Sequence, residues 1–73
     1  MGKSIYSTEY DFVLSQLKRA RIDTGMTQAE VAKRIGKPQS YISKCESGER
    51  RLDITEVNEL AKLYKKPLNY FVK

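Results

Sequence analysis

The strongest constraint on the fold of this chain lies in residues 27 to 48, where signals for starting and stopping a helix follow each other closely. Thr27 and the glutamate three positions later form a capping box, in which each side chain bonds to the other residue's backbone amide. Gly36 predicts the end of that helix, because glycine readily adopts the left-handed conformation of a C-terminal cap. Pro38 suits the first turn of a second helix, since it needs no amide hydrogen there, and Gly48 predicts its end. The pattern therefore predicts two short helices joined by a tight turn.

The second of these helices carries several polar side chains of short or medium reach, while Ile42 and Cys45 are expected to point inward. These polar residues are Gln39, Ser40, Tyr41, Ser43 and Lys44. Amide, hydroxyl and ammonium groups match the hydrogen-bond donors and acceptors that base edges present in the major groove of DNA. A helix with this surface, placed after a shorter helix and a tight turn, is typical of a helix-turn-helix reader of double-stranded DNA.

The remaining segments also read as helices. The apolar spacing predicts helices over about 8–24 and 54–65, the first capped by Ser7 or Thr8 and the second begun by another capping box. Pro67 opens a last short helix. The expected core positions are Phe12, Val13, Leu17, Ala20, Val31, Ala32, Ile35, Ile42, Cys45, Ile54, Val57, Leu60, Ala61, Tyr64, Leu68 and Phe71.

A single all-α domain of five short helices is expected, because the 73 residues leave room for one small core and no strand-like alternation is evident. Residues 1–7 are expected to form a flexible arm, and residues 8–73 the folded domain. Within that domain the helix-turn-helix is placed at about residues 27–46.

The net charge is +5, from 14 basic and 9 acidic residues, and its distribution is informative. The segment from Lys33 to Arg51 contains six basic residues and two acidic ones. The basic residues are Lys33, Arg34, Lys37, Lys44, Arg50 and Arg51, and the acidic ones are Glu46 and Glu49. This excess of positive charge is expected to attract phosphates and to make binding sensitive to salt.

Several classes of function are disfavoured by what the chain lacks. With one cysteine, Cys45, and no histidine, neither a disulfide nor a structural zinc site is expected, and no cofactor is implied. The missing histidine also removes the commonest general base, so no catalytic residues are assigned and no enzyme is expected. No apolar run is long enough for a membrane span, and the amino terminus lacks an export signal. A cytoplasmic location is therefore expected.

With these residues in view, the chain resembles the phage repressor and Cro family of helix-turn-helix domains (the XRE family) over about residues 12–71. The residues that carry the resemblance are Arg21, Gly25, Thr27-Gln28-Ala29-Glu30-Val31-Ala32, Ile35-Gly36, Gln39-Ser40-Tyr41-Ile42-Ser43-Lys44, Glu46-Ser47-Gly48, Leu60-Ala61 and Phe71. The resemblance implies a compact five-helix domain like that of lambda repressor, encoded by a bacterium or phage and associated with the nucleoid when bound to DNA.

The resemblance also implies roles for individual side chains. Gln39, Ser40 and Lys44 occupy base-reading positions; glutamine suits adenine, and lysine suits the O6 and N7 atoms of guanine. Gln28 lies at the start of the second helix, where the family binds a phosphate and where exposed amides favour one.

Four further residues are expected to contact the DNA backbone, which sets the position of the protein but not its sequence preference. They are Tyr41, Ser43, Arg50 and Arg51, the last two in a loop that the family uses for phosphates. Arg21 and Glu46 match a structural ion pair that joins the first helix to the third in some members.

The function expected from these roles is a sequence-specific transcriptional regulator, in particular a repressor. A homodimer formed through the carboxyl-terminal segment, Pro67 to Lys73, would bind a palindromic operator with half-sites about 34 Å apart. Two alternatives stay open at this point. One is an antitoxin-type interaction module that also binds its own promoter, and the other is the amino-terminal domain of a longer repressor.

Overall fold

The computed structural model describes residues 8–72, which form four α-helices followed by one short 3₁₀ helix. The elements are α1 Thr8–Asp23, α2 Gln28–Ile35, α3 Gln39–Ser47, α4 Ile54–Leu63 and the 3₁₀ helix Leu68–Tyr70. The all-α class is confirmed, and no strand occurs within these residues. The predicted arm at residues 1–7, the predicted cap at Ser7 and the side chain of Thr8 lie outside what the structure describes.

The expectation of five helices is corrected to four α-helices and a single 3₁₀ turn. In the last element, the Tyr70 amide donates to the Pro67 carbonyl at 3.0 Å and the Phe71 amide to the Leu68 carbonyl at 3.0 Å. Both bonds join residues three apart, which is the 3₁₀ pattern rather than the α pattern. The turn ends by placing Phe71 in the core, where its side chain is fully buried.

The helix starts follow the local signals closely. The Thr27 hydroxyl accepts from the Glu30 amide at 3.1 Å, and the Glu30 carboxylate accepts from the Thr27 amide at 2.8 Å. The same capping box, formed by Asp53 and Glu56, begins α4. Pro38 is the N-cap of α3 rather than its first residue, so the helix begins at Gln39, one position later than predicted.

The helix ends explain why α4 is shorter than the predicted 54–65. Its last residue is Leu63, and Lys65 adopts the left-handed conformation with φ of 59°. The Lys66 amide then bonds to the Ala61 carbonyl at 3.0 Å, which closes a Schellman cap. Gly36, with φ of 71°, closes α2 in the same way.

The four α-helices and the 3₁₀ turn surround one core. Its buried side chains are Val13, Leu17, Ala20, Val31, Ala32, Ile42, Cys45, Leu52, Val57, Leu60, Ala61, Tyr64 and Phe71. Most of them were expected from the apolar spacing. Phe12, Ile35 and Leu68, also expected in the core, are half-buried.

The assignment of Ile54 to the core was wrong, since its side chain is 57% exposed. Ile54 is the first residue of α4, and Leu52, just before the cap, is buried in its place. Leu52 and Val57 occupy the two positions of a hydrophobic staple, which sets the angle at which the chain enters a helix. Helical periodicity alone does not identify such a residue outside the helix.

Two side-chain hydrogen bonds attach distant segments of the chain to α1. The Tyr10 hydroxyl accepts a hydrogen bond from the Leu52 amide at 3.1 Å, which fixes the loop between α3 and α4. The Gln16 side chain donates to the Tyr70 carbonyl at 3.1 Å, which fixes the 3₁₀ turn. Helix α3 packs against both α1 and α2. None of the helices in residues 8–72 has the length and apolar character needed to cross a lipid bilayer.

Candidate nucleic-acid interface

Helix α3 divides into a buried side and a polar, exposed side. Ile42 and Cys45 anchor the buried side, each only 1% exposed. The exposed residues are Gln39, Ser40, Ser43, Lys44 and Ser47. Within the described part of the chain, the side chains of the first four make no hydrogen bond or ion pair. The Ser47 hydroxyl, in contrast, donates to the Lys44 carbonyl at 3.2 Å. The donors and acceptors of those first four side chains are therefore available to a ligand.

The structure brings Arg21 and Glu46 together in a tight pair between α1 and α3. Arg21 Nε lies 2.7 Å from Glu46 Oε2, and Arg21 Nη2 donates to Glu46 Oε1 at 3.2 Å. The two side chains are only 12% and 7% exposed. The hydrogen bond that Arg21 donates to Glu46 raises the pKa of Arg21 above the ordinary arginine value, so the guanidinium stays charged. A third bond, from Arg21 Nη1 to the Met26 carbonyl at 3.0 Å, fixes the turn before α2.

Gln28, the first residue of α2, joins this pair. Its Nε2 atom donates to Glu46 Oε1 at 3.1 Å, and the side chain is half-buried. This contact was not expected from the sequence, which places a phosphate contact at Gln28. The first amides of a helix have no partner within the helix, and the positive end of its dipole lies there. Gln28 therefore lies where an anion would meet α2, with part of its amide already engaged.

Tyr41 lies beneath two cations at the amino-terminal end of α3. The Arg50 guanidinium carbon is 4.7 Å from the centroid of the Tyr41 ring, and Lys37 Nζ is 5.4 Å from it. Arg50 is also held by Glu56, with Nη2 and Oε2 2.8 Å apart. Partial burial raises the pKa of Tyr41, so the phenol stays protonated at neutral pH. The ring therefore concentrates two positive charges beside the outer face of α3.

Arg51 follows a different path from Arg50, although the two are adjacent. Its guanidinium carbon lies 4.7 Å from the centroid of the Tyr10 ring on α1. The loop thus directs one arginine toward α3 and the next toward α1. Sequence reasoning missed the supporting residues Lys37 and Tyr10. Lys37 was counted only among the basic residues of the segment, and because it lies outside α3, two residues before Gln39, no helical spacing rule relates it to Tyr41.

No feature in residues 8–72 indicates a metal or a reactive nucleophile. The acidic and cysteine side chains of that part form no cluster able to hold a metal ion. Cys45 is buried, and this burial raises the pKa of its thiol, which therefore stays neutral. The groups available to a ligand are therefore hydrogen-bond donors and acceptors and positively charged side chains.

The fold and this surface together define a class of protein, the helix-turn-helix proteins that bind double-stranded DNA. Residues 17–71 match the family model described as helix-turn-helix, of the XRE, Cro and C1 type, and the chain belongs to this family. It is accordingly a DNA-binding transcription regulator of the XRE type. A search of curated proteins finds no match to the chain.

Proposed function

We propose that the protein is a sequence-specific repressor that places α3 in the major groove of its operator. The observation that carries the proposal is the outer face of α3, where polar side chains are exposed and uncommitted while the helix itself is fixed from several sides. A helix held in this way loses little conformational entropy on binding DNA. Its contacts with the bases therefore contribute more fully to affinity and selectivity. Repression then needs occupancy of the operator and no catalysis.

Base reading is assigned to Gln39, Ser40 and Lys44. Gln39 begins α3, and Lys44, also exposed, lies further along the helix. A glutamine can bond to adenine through both amide atoms, and a lysine can donate to O6 and N7 of guanine. Ser40 adds a hydroxyl that either donates or accepts. Together, the three side chains can contact only a few base pairs.

The phosphate backbone is assigned to the residues around this reading helix. They are Gln28, Tyr41, Ser43, Arg50 and Arg51. Support comes from the helix start at Gln28, from the two cations over Tyr41 and from the exposed position of Arg51. Contacts of this kind set the position of the protein on the duplex and dominate its salt dependence.

Selectivity requires two copies of such a small module. We place the dimer contact in the carboxyl-terminal segment of the 8–73 domain, where Val72 is 40% exposed and Leu68 and Tyr70 are half-buried. A two-fold dimer would bind a palindromic operator, with half-sites about 34 Å apart. A repressor has to act where the chromosome lies, which in a bacterial cell is the cytoplasm.

Selection of bound sequences from a random duplex library tests this function directly, because it yields the operator and its symmetry together. On the selected operator, Gln39→Ala and Lys44→Ala should each lower affinity about five- to hundredfold and relax selectivity at one base pair. Arg51→Ala should instead weaken all sequences alike. Equal losses on selected and random DNA for all three variants would refute the assignment of roles, and failure of the purified protein to bind any duplex at low salt would refute the function.

A further inference from the structure

We propose that Glu46 is a positioning residue for DNA binding, which acts by fixing the orientation of the Gln28 side-chain amide. The inference rests on the proposed function, in which Gln28 meets a phosphate, and it assigns to Glu46 a role beyond an ion pair between helices. It is carried by the hydrogen bonds that converge on one carboxylate.

The Glu46 carboxylate accepts hydrogen bonds from three donors on two other segments. They are Arg21 Nε at 2.7 Å, Arg21 Nη2 at 3.2 Å and Gln28 Nε2 at 3.1 Å. The side chain is 93% buried, because its exposed fraction is 7%. An ionised carboxylate accepts hydrogen bonds and donates none. Only the NH₂ edge of the Gln28 amide can therefore face it.

This constraint decides what Gln28 offers to a ligand. The NH₂ group has two hydrogens, and one of them is directed at Glu46, so one N–H donor remains. That donor belongs to the first residue of α2, beside the backbone amides of Gln28 and Ala29, which have no partner within the helix. The Glu30 amide, in contrast, is capped by Thr27. A phosphate oxygen accepts hydrogen bonds, so an N–H attracts it whereas an amide carbonyl repels it. Glu46 selects the amide orientation that suits a phosphate.

Arg21 makes the arrangement rigid. Two of its nitrogens hold the Glu46 carboxylate, and Nη1 holds the Met26 carbonyl, two residues before Gln28. The backbone leading into α2 and the partner of the Gln28 side chain are thus fixed by the same guanidinium. The rotational freedom of Gln28 is lost on folding rather than on DNA binding, which favours the complex.

A double-mutant cycle on the selected operator tests the inference. Gln28→Ala should lower affinity about tenfold in the wild-type background, the effect of losing one hydrogen bond to a charged group. In a Glu46→Asp background, which keeps the charge beside Arg21 but shortens the side chain, the same change should cost less than about twofold. The matched control is Glu56→Asp, another carboxylate paired with an arginine, where Gln28→Ala should keep its full tenfold effect.

Equal losses in the wild-type and Glu46→Asp backgrounds would overturn the inference while leaving the proposed function intact. Absence of DNA binding by the wild-type protein would overturn both. A second measurement follows the side-chain amide signals of the free wild-type protein by ¹⁵N NMR. It needs no variant, so it holds even if the Glu46 variant does not fold. The Gln28 NH₂ hydrogens should exchange with solvent more slowly than those of the exposed Gln39, and equal exchange rates would also overturn the inference.

Discussion

Two arginine–glutamate pairs of almost equal length occupy very different surroundings in this small protein. Arg21 and Glu46 are 2.7 Å apart with side chains 12% and 7% exposed, whereas Arg50 and Glu56 are 2.8 Å apart with side chains 44% and 26% exposed. Bond length is therefore a poor guide to what a pair does. The buried pair joins three segments of the scaffold, and the exposed pair holds one cation beside the proposed DNA surface.

The physical reason for the difference is solvent. Water screens an exposed pair, so its net contribution to the free energy of unfolding is small. A buried pair has lost its hydration, and each charge depends on the other for compensation. We therefore expect damage to the Arg21–Glu46 pair to affect folding, and damage to the Arg50–Glu56 pair to affect binding.

The largest effect is expected from Arg21→Met. It leaves the Glu46 carboxylate buried without a counter-charge, and we expect a loss of about 3 kcal/mol in the free energy of unfolding, measured by urea titration. Arg21→Met combined with Glu46→Leu should recover most of that loss, because no buried charge remains. If the double variant is less stable than the single one, the pair stabilises the fold through its own attraction, and the explanation by an uncompensated charge is wrong.

A smaller effect, on binding rather than folding, is expected from Arg50→Ala. The urea midpoint should hardly change, because the arginine is exposed to solvent. Affinity for the operator should fall about three- to tenfold at moderate salt, and the slope of log affinity against log salt should decrease in magnitude by about 0.9. Arg19→Ala, an exposed arginine on the outer side of α1, is the matched control and should leave that slope unchanged. An unchanged slope for Arg50→Ala would remove Arg50 from the interface.

The exposed pair should also have a pH dependence. Hydrogen bonds from the Asp53 amide and from Arg50 lower the pKa of Glu56 below its ordinary value. A carboxylate whose pKa is lower in the folded state stabilises the fold above its unfolded pKa, and this contribution is lost as pH falls through the folded pKa. Urea midpoints measured between pH 6 and pH 3 should thus fall less steeply for Glu56→Gln than for the wild-type protein. Parallel curves would show that Glu56 contributes nothing to the acid sensitivity.

The sequence predicted local features of the fold better than contacts between distant residues, such as those of the Arg21–Glu46 pair. Capping boxes, glycine stops and apolar spacing are local, and they predicted the existence and order of the four α-helices. The last element was expected as a helix and is a 3₁₀ turn, and Phe71 enters the core immediately after it. Local patterns predict that the chain turns after Pro67, but they do not predict whether the hydrogen bonds of that turn follow the α or the 3₁₀ pattern.

Most contacts between residues far apart in sequence could not be predicted from the sequence. Pairing of Arg21 with Glu46 was inferred through family resemblance, and nothing local in the sequence indicates that Gln28 joins it. The bond from the Leu52 amide to Tyr10 spans 42 positions, so no spacing rule could predict it. For the candidate interface, the sequence indicated the outward residues of α3, whereas the supports beneath them became visible only in three dimensions.

The smallest expected effect comes from substitutions of Tyr41. Two groups hold Arg50, the Glu56 carboxylate and the Tyr41 ring, and these substitutions test the ring alone. Tyr41→Phe keeps the aromatic face under Arg50 and removes only the hydroxyl that is assigned to a phosphate, so operator affinity should fall about two- to threefold. Tyr41→Leu removes the face as well and should reduce affinity more than Tyr41→Phe, with a shallower salt dependence if Arg50 becomes less well placed. If the Leu variant binds as tightly as the Phe variant, the ring contributes nothing and Glu56 alone positions Arg50. If the Phe variant binds as tightly as the wild-type protein, the Tyr41 hydroxyl makes no phosphate contact.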